Sequence, residues 1–126
     1  MTKTKKGLAS ELLADVIVHG MQEKKAVDIS VLDLRNVSNA FTDFFVIATA
    51  TNDKQLDAIV EAVDKEVYQA MQEDPLAKEG EGRNGWVLMD YFNVIVHVFL
   101  ADKREKFALE ALWGDAKIKK IKNIEE

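Results

Sequence analysis

Apolar residues recur at helical spacing near the start of the chain. Leu8, Leu12, Leu13, Val16, Ile17 and Met21 fall on one side of a helix, which predicts α-structure over about residues 6–24. From Val27 to Leu34 the period changes to two: Val27, Ile29 and Val31 point one way, Asp28 and Ser30 the other, as in a half-buried strand. Leu32 and Leu34 shift that phase, which predicts a bulge or the end of the strand. Phe44 to Ala48 is an unbroken apolar run rich in β-formers and reads as a central strand buried on both faces. Asn52 with Gln55 marks a helix start, and Leu56, Ile59, Val60, Val63, Val67 and Met71 form one stripe to about Glu73, where Pro75 is expected to end the helix.

Beyond Pro75 the pattern shortens. Lys78 to Gly85, with three glycines, reads as a loop or short edge strand. Trp86–Tyr91 and Val94–Leu100 read as an antiparallel hairpin turning at Phe92-Asn93. Asp102 with Glu105 opens a third helix expected to reach Trp113, with Gly114 as its C-cap. Residues 115–126 alternate isoleucine with lysine and read as a frayed helix or an arm. The prediction is one α/β domain spanning 1–126. Its core covers about 8–116, 117–126 form a tail, and a mixed sheet of four or five strands is flanked by helices.

Charge and composition narrow the function. Seventeen basic residues face twenty-two acidic ones, for a formal net charge of −5. Binding to bare nucleic acid depends on neutralising phosphates, so an acidic chain is a poor general RNA or DNA binder unless a local patch overrides the total. A partner with a basic surface suits it better. The absence of cysteine excludes disulfides and cysteine-based zinc sites and fits a reducing compartment. The basic N-terminus lacks an apolar signal core, and no apolar run is long enough for a membrane span; the expected location is cytoplasmic.

No cofactor or catalytic constellation emerges. Gly80, Gly82 and Gly85 match G-x-G-x-x-G, but they follow a helix and precede a strand, the reverse of a dinucleotide site, and Glu79 and Glu81 would repel phosphate. His97, flanked by apolar residues, is a packed histidine or a general base; His19 shares no metal-ligand spacing with it. Asp33, Asp43 and Asp90 end or precede strands, where carboxylates cap turns or hold metal. Ser10, Ser30 and Ser38 lie in no nucleophile elbow. Trp86, Tyr91, Phe92, Phe99, Phe107 and Trp113 crowd the last third of the chain beside Arg104, the composition of an interface hot spot or of a core.

Particular residues point further. Asp33-Leu34-Arg35 and Thr42-Asp43-Phe44-Phe45-Val46-Ile47-Ala48-Thr49, then Asn52 and Gln55, resemble the D-Y-F-V-I-A-T-G signature and following polar positions of the Iojap family of ribosomal silencing factors. Glu81-Gly82 and Gly85-Trp86-Val87-Leu88-Met89-Asp90-Tyr91 resemble its E-G and W-x-L-x-D-Y. Val94 to Phe99 resembles V-V-V-H-V-F, and Arg104, Phe107, Leu109-Glu110, Leu112-Trp113 and Asp115-Ala116 resemble its R-x-x-Y-x-L-E-x-L-W-x-D-A. The chain departs at Ala50, at Phe92-Asn93 in the hairpin turn, where Asn93 is expected to take the unusual backbone geometry, and at Phe107.

The resemblance implies a nucleotidyltransferase-like fold that has lost catalysis and needs no cofactor. It implies binding to a basic protein on the intersubunit face of the large ribosomal subunit, blocked joining of the small subunit, lowered translation under nutrient limitation, and a homodimer. The aromatic and arginine candidates, where the signature is densest, give the expected footprint: Trp86, Asp90, Tyr91, His97, Phe99, Arg104 and Phe107. The competing readings are a large-subunit assembly factor, a metal-dependent nucleotide-handling enzyme using Asp43, Asp90 and His97, and a homodimeric scaffold with an unrelated partner.

Overall fold

A computed structural model describes residues 5–124, with side chains from Ala9 onward. Helix α1 spans Lys5–Glu23 and α2 Asp53–Met71; the strands are β1 Val27–Asp33, β2 Phe44–Ala50, β3 Ala77–Glu81, β4 Trp86–Asp90, β5 Val94–Leu100 and β6 Lys117–Lys120. Two short helices, α3 Ala101–Phe107 and α4 Leu109–Leu112, lie between β5 and β6. The six strands form one mixed sheet in the order β3-β4-β5-β2-β1-β6, with β2 and β5 parallel at its centre and every other pair antiparallel. Six strands replace the expected four or five.

The sheet buries both faces, which explains the unbroken apolar run. Phe44, Val46 and Ala48 meet Leu13, Ile17 and Met21 of α1 and Leu56, Ile59, Val63 and Val67 of α2. Phe45 and Ile47 turn the other way, into a smaller core with Leu32, Leu34, Ile95 and Phe99 that Leu109 and Trp113 help to cover. The two helices approach closely at Gly20, where a Cβ would lie 2.9 Å from the Val63 Cα. Asn52 caps α2, its side chain accepting from the Gln55 N–H at 2.8 Å. Gln55 reaches back one residue further than expected, with Oε1 accepting from the Thr51 N–H at 2.6 Å.

Several local expectations are corrected. The strand ends at Asp33, one of the two outcomes expected where the phase shifts; Leu32 and Leu34, on either side of it, belong to the smaller core. The irregularity lies earlier, at Asp28, whose φ of 52° accompanies a register shift between Val27 and Ser30. Helix α2 ends in a left-handed Gln72 whose N–H donates to the Tyr68 carbonyl, before Pro75 is reached. The third helix breaks at left-handed Ala108, which redirects Leu109 and Trp113 onto the sheet; Gly114 is not the cap. In the hairpin turn Phe92, not Asn93, takes the positive φ of 72°. Residues 117–120 are neither helix nor free arm: they pair with β1, and their isoleucine–lysine alternation was a strand period.

Candidate functional site

The β4–β5 hairpin presents alternate side chains to the smaller-core face. Register sets Trp86 beside Phe99, Leu88 beside His97 and Asp90 beside Ile95. Trp86 lies almost parallel to Phe99, centroids 5.8 Å apart and planes at 12°, and to His97 at 6.0 Å and 13°. Phe107, 40% exposed on α3, closes against Trp86 at 4.8 Å. Phe45 meets the His97 ring edge-on at 5.0 Å. Offset and edge contacts of this kind favour a rigid aromatic layer.

Above this layer the sheet is incompletely covered. Glu79, Gly80, Asn84, Trp86, Leu88, Lys103 and Phe107 line an open trough of about 260 Å³. Phe41, 67% exposed, stands over the same face against Phe45 and Trp113. Exposed apolar surface rimmed by polar groups has the chemistry that docking surfaces use.

The expected footprint residues separate into distinct places. Trp86 and Phe107 reach the trough. His97 and Phe99 lie beneath it, 5% and 1% exposed, and support the surface rather than form it. His97 Nδ1 accepts from Trp86 Nε1 at 3.2 Å, while buried Nε2 has no partner. Burial pushes the His97 pKa down to about 4, so the ring is neutral. Asp90 caps the hairpin turn, its Oδ1 accepting from the Phe92 N–H at 2.7 Å.

Tyr91 points to the opposite face, among the α1–α2 core residues. It is 6% exposed and its hydroxyl has no partner. Burial raises its pKa, and Asp64, Asp74 and Glu73 push in the same direction. Arg104 is committed inside the molecule: Nε donates to Glu110 at 3.1 Å, Nη1 to Thr49 Oγ1 at 2.8 Å and to the Asp28 carbonyl, and Nη2 to Ser30 Oγ at 3.2 Å. It pins the β1 bulge to α3 and α4. Leu88 and Lys103 were missed by sequence reasoning; alternation with Trp86 was the available signal for Leu88, and none existed for Lys103.

The carboxylates suggested for an enzyme do not converge with His97. Asp43 accepts from Ser10 Oγ at 2.7 Å, Asp33 is paired with Arg35 at 2.7 Å, and Asp90 holds its turn. Among the described residues the donors that come together are His19, Glu23 and Glu66 on the outside of α1 and α2. There each glutamate approaches a different imidazole nitrogen, at 3.8 and 3.6 Å, longer than hydrogen-bond distance.

Known proteins share this sequence and architecture. Residues 8–126 match the family described as ribosomal silencing factor during starvation. A ribosomal silencing factor of Halalkalibacterium halodurans is 32% identical over 117 residues, covering 93% of this chain and 98% of that one. A mouse protein named mitochondrial assembly of ribosomal large subunit protein 1 is 31% identical over 102 residues, covering 79% of this chain and 44% of its own length. A crystal structure of a Chromobacterium violaceum protein superposes with a TM-score of 0.76 at 28% identity, covering 82% of this chain and 85% of that one. The match runs through β6, and the chain belongs to the family of ribosomal silencing factors.

Proposed function

We propose that this protein binds the large ribosomal subunit through a basic ribosomal protein on the intersubunit face, and so blocks joining of the small subunit and lowers translation when nutrients are short. The observation that carries the reading is the open aromatic trough built by Trp86, Leu88 and Phe107 on a rigid sheet, in a chain of this family. Steric exclusion needs a firm footprint and no reaction. The protein then acts without catalysis or cofactor, on a nucleotidyltransferase-like frame, in the cytoplasm and as a homodimer. Trp86 and Phe107 make the direct contacts, His97 and Phe99 hold them in place, Glu79 brings negative charge to the trough and Asp90 to the far end of the same strand, and Tyr91 and Arg104 fix the frame beneath.

Co-sedimentation with separated subunits tests this reading. The protein should travel with large subunits only, and light scattering should show reduced association when small subunits are added. Co-sedimentation with small subunits, or undiminished association, overturns it. A second reading, large-subunit assembly, is favoured by the name of the mouse relative. Deletion of the protein would then accumulate incomplete large subunits, whereas anti-association alone would leave them complete. Saturable nucleotide binding with Mg²⁺ and turnover would replace both readings with the enzyme.

A further inference from the structure

The chain is acidic as a whole, yet one edge of its sheet is strongly basic. Lys117, Lys119, Lys120 and Lys122 fall within six positions, all exposed, on and just beyond β6. Register with β1 places Lys119 beside Val31, on the α1 side, and Lys120 beside Ser30, on the other side. The cations therefore fan out to both sides of an edge that pairs with β1 alone.

Asp33, opposite Lys117 in the register, feels that lysine's charge, but the nearest carboxylates are held first by arginines. Arg35 holds Asp33 at 2.7 Å and Glu11 at 2.8 Å. Arg104 holds Glu110 at 3.1 Å. Among the described residues none of the four lysines takes part in an ion pair. Two half-buried arginines thus hold Glu11, Asp33 and Glu110, and although Asp15 and Asp28 border the same clefts as the lysines, all four lysines face water. Lysine on an edge strand also discourages stray strand pairing, but that needs no removal of the surrounding negative charge.

We infer that the β6 edge is a second foothold that takes phosphate groups of ribosomal RNA. The inference rests on the proposed binding to the large subunit, whose densest fixed negative charge is its RNA backbone. Four strand steps separate β4 from β6, which at about 4.8 Å each puts this edge roughly 19 Å from the aromatic trough. Two contacts of different chemistry that far apart fix orientation as well as position. Lysine reads no base sequence, so this contact positions and does not select sequence.

The test compares the parent with a protein carrying Lys117→Gln, Lys119→Gln, Lys120→Gln and Lys122→Gln, by co-sedimentation with large subunits at several salt concentrations. Four phosphate contacts correspond to a loss on the order of a hundredfold in affinity between about 50 and 200 mM salt. The parent should show that dependence, and the glutamine protein should bind more weakly at low salt with a flatter slope. Four Lys→Arg substitutions should restore both. Protein-free large-subunit RNA should bind the parent weakly and the glutamine protein less. If the parent binds large subunits and the glutamine protein keeps the same affinity and slope, the foothold is absent while the proposed function stands. Self-association of the glutamine protein with unchanged ribosome binding reduces the lysines to edge protection and overturns the inference. Loss of slope with no RNA binding by the parent assigns the edge to an acidic protein segment instead. If the quadruple variant is unfolded by circular dichroism, the pair Lys119→Gln and Lys120→Gln is read by the same criteria. If the parent fails to bind large subunits at all, the proposed function falls first.

Discussion

The Trp86 indole N–H donates to Nδ1 of His97, 3.2 Å away, from a ring only 13° out of parallel with the imidazole. The bond fixes the histidine tautomer, with the proton on Nε2. It also orients the indole, because a swing of Trp86 toward solvent would break it. The half-buried indole is thereby held by a buried imidazole.

The burial of His97 gives a pH dependence. The folded pKa of about 4 lies below the ordinary 6.5, so the unfolded chain takes up a proton first as pH falls. The stabilisation is fully present above about pH 6.5 and is lost progressively toward pH 4, amounting to about 3 kcal/mol over the window. Denaturant melts at a series of pH values should show stability rising with pH there. A His97→Phe protein should lose that part of the slope; an unchanged slope would mean that His97 is protonated in the folded state.

Truncating the anchors should weaken binding without unfolding. Trp86→Ala should lower affinity for large subunits about thirtyfold, equivalent to about 2 kcal/mol. Phe107→Ala, at the trough wall, should have a smaller effect in the same direction. Sedimentation binding curves beside thermal melts decide; full affinity in a folded Trp86→Ala protein moves the footprint elsewhere.

Val63 lies fully buried under Gly20, where α1 and α2 touch. Val63→Asp should cost about 4 kcal/mol or more, because the charge has no partner there. Gly20→Val should cost about 1–3 kcal/mol by forcing the two backbones apart. Circular dichroism melts report both, and an unshifted midpoint for either would contradict the packing.

Local rules were legible in the sequence wherever one signal dominated. The buried run at Phe44–Ala48, the Asn52 cap and the Val63 stripe each state one fact about one element. Legibility failed where distant partners decide. Ala108 is an unremarkable helix former, and only the docking of Leu109 and the Arg104–Glu110 pair make it a break. The period of β6 is too short to be read without β1 beside it. In the candidate site, aromatic composition singled out the β4–β5 hairpin but not which face each residue takes: Tyr91 follows Asp90 directly, yet its side chain enters the opposite core, and Arg104, an interface residue by type, is consumed by the frame.

Phe92 pays a conformational penalty at φ 72°, a region where a bulky side chain is disfavoured. Its turn is held by the Asp90 cap and by Thr42 Oγ1, which donates to the Phe92 carbonyl at 2.9 Å. Phe92→Asn should raise stability by about 0.5–1 kcal/mol, since asparagine tolerates that geometry. An unchanged or lower melting midpoint would show that the exposed ring offsets the strain.

Arg104 should behave as a structural residue. Arg104→Met leaves Glu110 without its cation and Thr49, Ser30 and the Asp28 carbonyl without a donor, and should cost about 2–3 kcal/mol. Hydrogen exchange should quicken first around Asp28 and α4. A protein that keeps its stability and loses ribosome binding would make the arginine an anchor after all.

The order of strands carries a consequence for synthesis. The central parallel pair joins Val46 to Val96, and the outermost strand, β6, closes on Ser30–Asp33 only when residues 117–120 have been made. Pairings between such distant segments form slowly, because the intervening chain must be confined before they contribute. A chain emerging from the ribosome therefore holds β2, buried along its whole length in the finished fold, without its parallel neighbour until β5 appears. Helices α1 and α2, the only large elements complete by then, are what can shield it in the meantime, so their mutual packing at Gly20 and Val63 protects the unfinished protein as well as the finished one.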